Sequence, residues 1–320
     1  TAILLKATFL KKTRKAGEFY RYADRYLNIP NPITADEVLY SLEKVEVATI
    51  GIPDKNNSYL VEFKTNSLAP FVTLTKDGLI CAINEEVGFT VEDSFPLTAQ
   101  PENPPVAALN PKTYFSEEIL RAGSTAKQAE LIAKQIYHLR ESKTNILTGE
   151  ADNMPPDGNA YKLAISQIDE QEKALTSIFA GTETHELQTR TFTLIPDEMN
   201  IDKRTVFRFS KKLGVVEANN LAGAPVTLTL TSNEPREEIV LTEKEQKAQD
   251  KKFSSGIIYN IPAKASLKIE YNNRILLQKE CDVVQYGIQD VLTPKMLDIG
   301  KNPVKVIFYP ELGAIKQIVQ

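Results

Sequence analysis

Residues 125–149, TAKQAELIAKQIYHLRESKTNILTG, and residues 157–181, DGNAYKLAISQIDEQEKALTSIFAG, decide the fold class. They lie in a stretch from Ser116 to Gly181 with helical patterning, inside a chain that otherwise reads as short β-strands and turns. In the first, Ala129, Ile132, Ala133, Ile136 and Leu139 recur at three- and four-residue spacing, which places them on one helical face. Thr125 with Gln128 three residues on fits a capping box, and Gly149 ends the helix. In the second, Asp157 stands where an N-cap is needed, and Tyr161, Ala164, Ile165, Ile168, Leu175, Ile178 and Phe179 form the stripe. Gly181 is placed to close it in the left-handed region. Each helix spans about 22 residues, on the order of 33 Å. A connection of about ten residues predicts an antiparallel hairpin. One stripe zips the pair together, leaving Leu131, Tyr137 and Leu163 to dock the hairpin on the rest of the fold.

Toward the N-terminus the pattern changes to β with one local helix. Phe19, Tyr22, Ala23, Tyr26 and Leu27 fit an amphipathic helix of two to three turns, opened by Gly17 and closed by Asn28 to Pro32. Its three aromatics read as a packing face rather than a ligand platform. Lys6 to Lys15 reads as the solvated side of an opening strand. Val45 and Val47 alternate, and so do Tyr59, Val61 and Phe63 beyond the turn Pro53 to Asn57, as in a hairpin. Asp77-Gly78 between Phe71–Lys76 and Leu79–Asn84 predicts a type I′ hairpin turn. Pro96 to Pro111 holds five prolines and reads as an extended linker.

Beyond Gly181 the strand-like runs are Arg190–Ile195, Thr205–Ser210, Val226–Thr231, Ile257–Ile261, Ser266–Tyr271, Arg274–Lys279 and Val304–Tyr309. Asn272-Asn273 joins two of them, and Pro310 to Gly313 turns Val304–Tyr309 into Ala314–Val319. Seven or so short strands favour a two-sheet sandwich. Thr242 to Lys252, almost wholly polar, reads as an exposed connection. The expected architecture is α+β: an N-terminal β-rich unit with a short helix (1–95), a proline-rich linker (96–115), a long antiparallel helical hairpin (116–181) and a C-terminal β-sandwich (182–320).

Composition narrows the function. At 320 residues, 42% hydrophobic and 25% charged, the chain is ordinary globular material. A net charge of −4 offers no basic field, so nucleic acid is not an expected partner. No apolar run reaches the roughly 18 residues of a membrane span. The chain starts at Thr1 with no signal peptide, which reads as a processed or trimmed chain. Cys81 and Cys281 stand 200 residues apart in two strand-like segments and read as free thiols, a bond requiring Cα atoms within about 7 Å.

The chain carries few catalytic signatures. It has two histidines. His185-Glu186-Leu187-Gln188-Thr189 starts like a zincin motif but has Thr189 where the second histidine must stand. His138 lies mid-helix beside Tyr137, and neither cysteine has a neighbour at ligand spacing, so no metal or cofactor is expected. No nucleophile elbow or nucleotide-binding glycine loop is present. Paired carboxylates persist as a possible chemistry: Glu85-Glu86, Glu117-Glu118 and Asp197-Glu198 could each serve a glycosidase. The bland readings are a helix N-terminus for Glu117-Glu118 and turns for the others. The absence of tryptophan removes the commonest sugar-stacking surface.

Several motifs, in order, carry a resemblance: residues 17–27 (GEFYRYADRYL), Ile178-Phe179-Ala180-Gly181, Phe207-Arg208-Phe209-Ser210 to Leu213-Gly214-Val215-Val216, Gln285-Tyr286-Gly287, and Tyr309 to Ala314. Together they resemble an uncharacterised domain-of-unknown-function family of exported Bacteroidetes proteins, over nearly the whole chain. The resemblance implies an exported periplasmic or cell-envelope protein and supplies no catalytic residues. The expected function is non-enzymatic binding or scaffolding in the envelope, with another envelope protein or a glycan as partner. The competing reading is a carboxylate-based hydrolase of glycans or peptidoglycan.

Overall fold

The computed structural model describes residues 1–60, 72–85, 87, 110–152, 158–197, 200–234, 242–297 and 304–319. The elements run β1 (Ala2–Lys15), a 3-10 turn (Tyr20–Tyr22), α1 (Ala23–Leu27), β2 (Glu37–Ile50), β3 (Val72–Leu74), β4 (Ile80–Ile83) and a second 3-10 turn (Pro111–Tyr114). Next come α2 (Glu117–Leu120), α3 (Thr125–Thr148), α4 (Gly158–Ala180), β5 (Thr182–Leu194), β6 (Asn200–Ser210), β7 (Gly214–Val216) and β8 (Ala224–Ser232). The chain closes with α5 (Glu243–Phe253), β9 (Ile257–Tyr271), β10 (Arg274–Leu292), α6 (Pro294–Leu297), β11 (Lys305–Tyr309) and β12 (Ala314–Val319). The class is α+β with several antiparallel sheets.

The chain folds into two compact units, both discontinuous in sequence. One contains Thr1–Phe9, Leu42–Gln100 and Thr189–Gln320; the other contains Leu10–Ser41 and Pro101–Gln188. A three-stranded sheet has the order β2-β1-β5.

In the first unit, a five-stranded sheet has the order β10-β9-β8-β6-β7 and a four-stranded sheet the order β12-β11-β4-β3. Strand β8 shows why these residues form a sheet. Val226, Leu228 and Leu230 alternate with threonines and are fully buried, which is period-two patterning with β-branched residues between. Leu228 lies opposite Ile269 and Leu230 opposite Leu267. The Phe207 ring stacks on Phe192 at 4.6 Å, and Phe209 meets Phe9 edge-on at 6.2 Å. A second cluster joins Ile83, Val306 and Phe308 to Ile257 and Leu292.

Several local expectations change. Ile257–Ile261 and Ser266–Tyr271 are one strand, β9, because Pro262 falls on a strand paired with β10 at an interrupted register, where a missing N–H is tolerated. Asn272 and Asn273 both have positive φ (49° and 60°), so the two-residue type I′ turn belongs here. At Asp77-Gly78 only Gly78 is left-handed, with Gly78 N–H donating to Thr75 O and Thr75 N–H to Leu79 O. That is a type I turn followed by a glycine bulge, not type I′. Residues Thr242 to Lys252 are not a loop: α5 forms there with no buried residue. Glu245 accepts from the N–H and hydroxyl of Thr242 at 2.8 and 2.7 Å, closing a capping box, and Lys252 reaches Asp290 at 2.6 Å. An all-polar helix has no apolar stripe, so periodicity cannot reveal it. Tyr59 lies outside any strand, while Val61 and Phe63, most of the proline-rich run and Asp157 lie outside the described residues.

The second unit is built on the helices. Its core joins Phe19, Ala23 and Leu27 to Ile119 and to Ala129, Ile132 and Ile136 of α3 and Leu175, Ile178 and Phe179 of α4. The N-cap of α3 is Ser124, one residue before the expected Thr125; its hydroxyl accepts from Lys127 N–H at 3.2 Å. Gly149 and Gly181 close the two helices with φ of 79° and 83°. Arg140 pairs with Glu172 at 2.6 Å and Lys143 with Asp169 at 2.5 Å, which sets α3 and α4 antiparallel.

Candidate functional site

The hairpin is buried at one end only. Every buried residue of α3 falls between Ala129 and Ile136, and every one of α4 between Ala174 and Phe179. From Leu139 onward in α3 and back to Gly158 in α4, none of the described side chains is buried. The ion-pair register carries Leu147 and Leu163 toward the same end of the hairpin, where they are 57% and 63% exposed. Leu163 therefore does not dock the hairpin, against expectation, whereas Leu131 is buried. Tyr137 is exposed, yet its hydroxyl donates to the Tyr26 carbonyl at 2.9 Å, so it ties α3 to the short helix through its polar tip.

A charge cluster lies on β1 and β5 within the same unit. Glu183 accepts from Lys12 and Arg14, both at 2.7 Å, and His185 Nε2 lies 3.0 Å from the same carboxylate. Strand geometry accounts for the grouping, since residues two apart share a face: Lys12 with Arg14, and Glu183 with His185. Lys11 and Glu186 fall in the opposite phase and pair with each other at 3.5 Å. The two cations hold the Glu183 carboxyl down at about 2. A carboxyl that titrates so low is a poor proton shuttle near neutral pH.

Of the other sequence candidates, Glu117, Glu85 and Asp197 end in ion pairs. Glu117 meets Arg121 at 2.7 Å, Glu85 meets Lys305 at 2.5 Å and Asp197 meets Arg204 at 2.8 Å. Glu86 and Glu198 lie outside the described residues. Glu117 and Glu118 border a recess of 470 Å³ with Arg121, Ala122, Lys127 and Leu131, so both signs of charge line it. Among the described residues, the carboxyls that depart from their ordinary range, Asp54, Glu130, Glu183, Glu186, Glu245 and Asp290, are all lowered, by hydrogen bonds in each case. A glycosidase acid requires the opposite shift. His138 stands 3.8 Å from Glu141 on the α3 surface. Among the described residues, no three His, Cys, Asp or Glu side chains gather as a metal site. Cys81 is buried and Cys281 half-buried, both as free thiols, and burial raises both.

One surface was masked by its own composition. Within residues 17–27, Phe19 is buried against Phe179, with ring centroids at 5.8 Å. Tyr22 and Tyr26 stack on each other at 5.9 Å, and both are only half-buried. Arg21 lies over Tyr20 at 5.7 Å and Arg25 over Tyr26 at 5.4 Å, and both arginines are exposed. The aromatic spacing signalled a packing face, and the interleaved arginines were the sign of a second, outward face.

An α+β chain with ion-paired surface carboxyls and an outward helical face defines a class of fold rather than a chemistry. The chain belongs to the family described as Domain of unknown function (DUF4831), whose family model matches residues 1–316. No curated protein and no solved structure matches it. Among the described residues, no helix is long and apolar enough to cross a membrane.

Proposed function

We propose that this protein is a non-enzymatic binding or scaffolding component of the bacterial cell envelope, exported to the periplasm and acting through its helical hairpin. The observation that carries the reading is the one-ended burial of α3 and α4. An outer half with no buried residue, bearing Leu147 and Leu163 beside half-buried Tyr161, Ile165 and Ile168, is apolar surface in excess of what the unit's own core needs. Export, the bacterial group and the envelope location rest on the resemblance carried by the motifs from residues 17–27 to Tyr309–Ala314. No observation favours a hydrolase.

The test is a photocrosslinking residue placed at Leu163 in the living source bacterium, with fractionation of the cells. A discrete adduct in the envelope fraction, absent when Leu147 is also changed to glutamate, is the expected result. Absence of any adduct, combined with turnover of a peptidoglycan or glycan substrate by the purified chain, would overturn the proposal.

A further inference from the structure

Three turns meet at one end of the five-stranded sheet in the first unit. Ser210 lies opposite Gly214 at the β6–β7 turn, and Phe209 lies opposite Ala224 at the start of β8. Val226 lies opposite Tyr271 near the end of β9, and Tyr271 opposite Arg274 across the Asn272-Asn273 turn. With neighbouring strands about 4.8 Å apart, this register brings residues 211–213, 217–223 and 272–276 side by side. Each turn carries apolar side chains in the open: Leu221 is 81% exposed, and Leu213, Ile275 and Leu276 are exposed as well. Leu276 is the extra residue of a β-bulge between Ile275 and Leu277, which breaks the alternation of the strand and leaves two neighbouring apolar side chains outside. The backbone around Leu221 is held in place. Arg208 donates through Nε to Ala218 O at 2.8 Å and through Nη1 to Gly223 O at 3.1 Å, and Ala222 N–H donates to Asn220 Oδ1 at 3.0 Å. The charged side chains of the three turns are Lys211, Lys212 and Arg274 against Glu217, all exposed, so this end is positive on a chain of net charge −4.

We propose that this sheet end docks on the surface of a lipid bilayer bearing anionic headgroups, with Leu213, Leu221, Ile275 and Leu276 entering the boundary between headgroups and acyl chains and Lys211, Lys212 and Arg274 lying among the phosphates. The arrangement of the turns selects this occupant. A bilayer interface takes up apolar side chains singly, in proportion to the area each one buries, and demands no matching shape. That suits four side chains divided among three turns. An anionic surface attracts nearby lysines and arginines within about a Debye length, so the local excess of positive charge adds to the apolar gain although the whole chain is acidic. Leu221 gains nothing in the folded chain from burial, and a fixed backbone presents it without a further ordering cost on docking. The inference goes beyond the hairpin reading and does not rest on it, since the surface belongs to the other unit.

The test uses the full chain with vesicles of phosphatidylethanolamine and phosphatidylglycerol, and with vesicles of phosphatidylcholine alone. The chain has no tryptophan, so Leu221→Trp places a single reporter at the tip, and Thr231→Trp places one toward the far end of β8. At low salt the protein should float with the anionic vesicles and severalfold less with phosphatidylcholine, and the emission of Trp at position 221 alone should shift to the blue. Leu221→Asp with Ile275→Asp should weaken flotation about tenfold or more while melting with the parent, because both side chains are exposed. Lys211→Gln, Lys212→Gln and Arg274→Gln together should weaken it severalfold and remove its salt dependence. No flotation with either vesicle, flotation untouched by the aspartate variant, an equal shift at positions 221 and 231, or a dimer in light scattering that the aspartate variant dissolves in the absence of vesicle binding would each overturn the assignment. Failed flotation alongside a persisting Leu163 adduct removes this inference alone and leaves the hairpin reading standing.

Discussion

Gly17 packs its Cα against the carbonyl oxygen of Ile178 in the last turn of α4, so closely that any side chain there would collide with that oxygen. Two residues on, Phe19 N–H donates to the same carbonyl at 2.9 Å. The contact takes up an acceptor that the helix end would otherwise leave unpaired. Gly17→Ala should therefore cost about 1–3 kcal/mol through backbone displacement, read as a lower midpoint in urea with an unchanged slope. An unchanged midpoint would mean that the 17–27 segment and α4 relax apart at no cost.

Burial separates the two ends of the hairpin. Ile136 is fully buried, so Ile136→Asp places an unpaired carboxylate in the core and should cost several kcal/mol, much of the 5–15 kcal/mol typical of a domain. Leu163→Asp, at a position 63% exposed, should stay within about 0.5 kcal/mol of the parent. Thermal melts of the two variants check the contrast.

Glu183 makes acid stability a local measurement. Its folded value of about 2 lies below the ordinary 4.5, so its contribution is complete above pH 4.5 and is lost as pH falls through about 2. Glu183→Gln should melt below the parent at neutral pH, and the gap should close between pH 4.5 and 2. A gap that is constant across that window would assign the effect to shape rather than charge.

Both thiols are raised by burial, which disfavours the thiolate. Ellman's reagent should react slowly with the native protein at neutral pH and rapidly in denaturant, and a non-reducing peptide map should show Cys81 and Cys281 in separate peptides.

Helix α5 depends on its ends because no side chain of it is buried. Thr242→Ala with Glu245→Ala removes the capping box and should lower amide protection from Glu243 to Phe253, while β9 keeps its own.

The sequence by itself determined whatever is written in short-range physics. The stripe from Ala129 to Leu139, the left-handed glycines at 149 and 181, and the alternating Val226, Leu228 and Leu230 need only neighbours within a few residues to declare helix or strand. The candidate site was legible in pieces: the aromatics of residues 17–27 were visible, as was His185, but not their companions. Lys12 and Arg14 reach Glu183, and Gly17 meets Ile178, only because strands and helices far apart in the chain share one unit. The same long-range closure left Leu131 buried and Leu163 exposed, although both are leucines on neighbouring helices. Tertiary structure alone decided these points, because pairing across more than a hundred residues is selected by the summed burial of whole elements and leaves no periodic mark on any one of them.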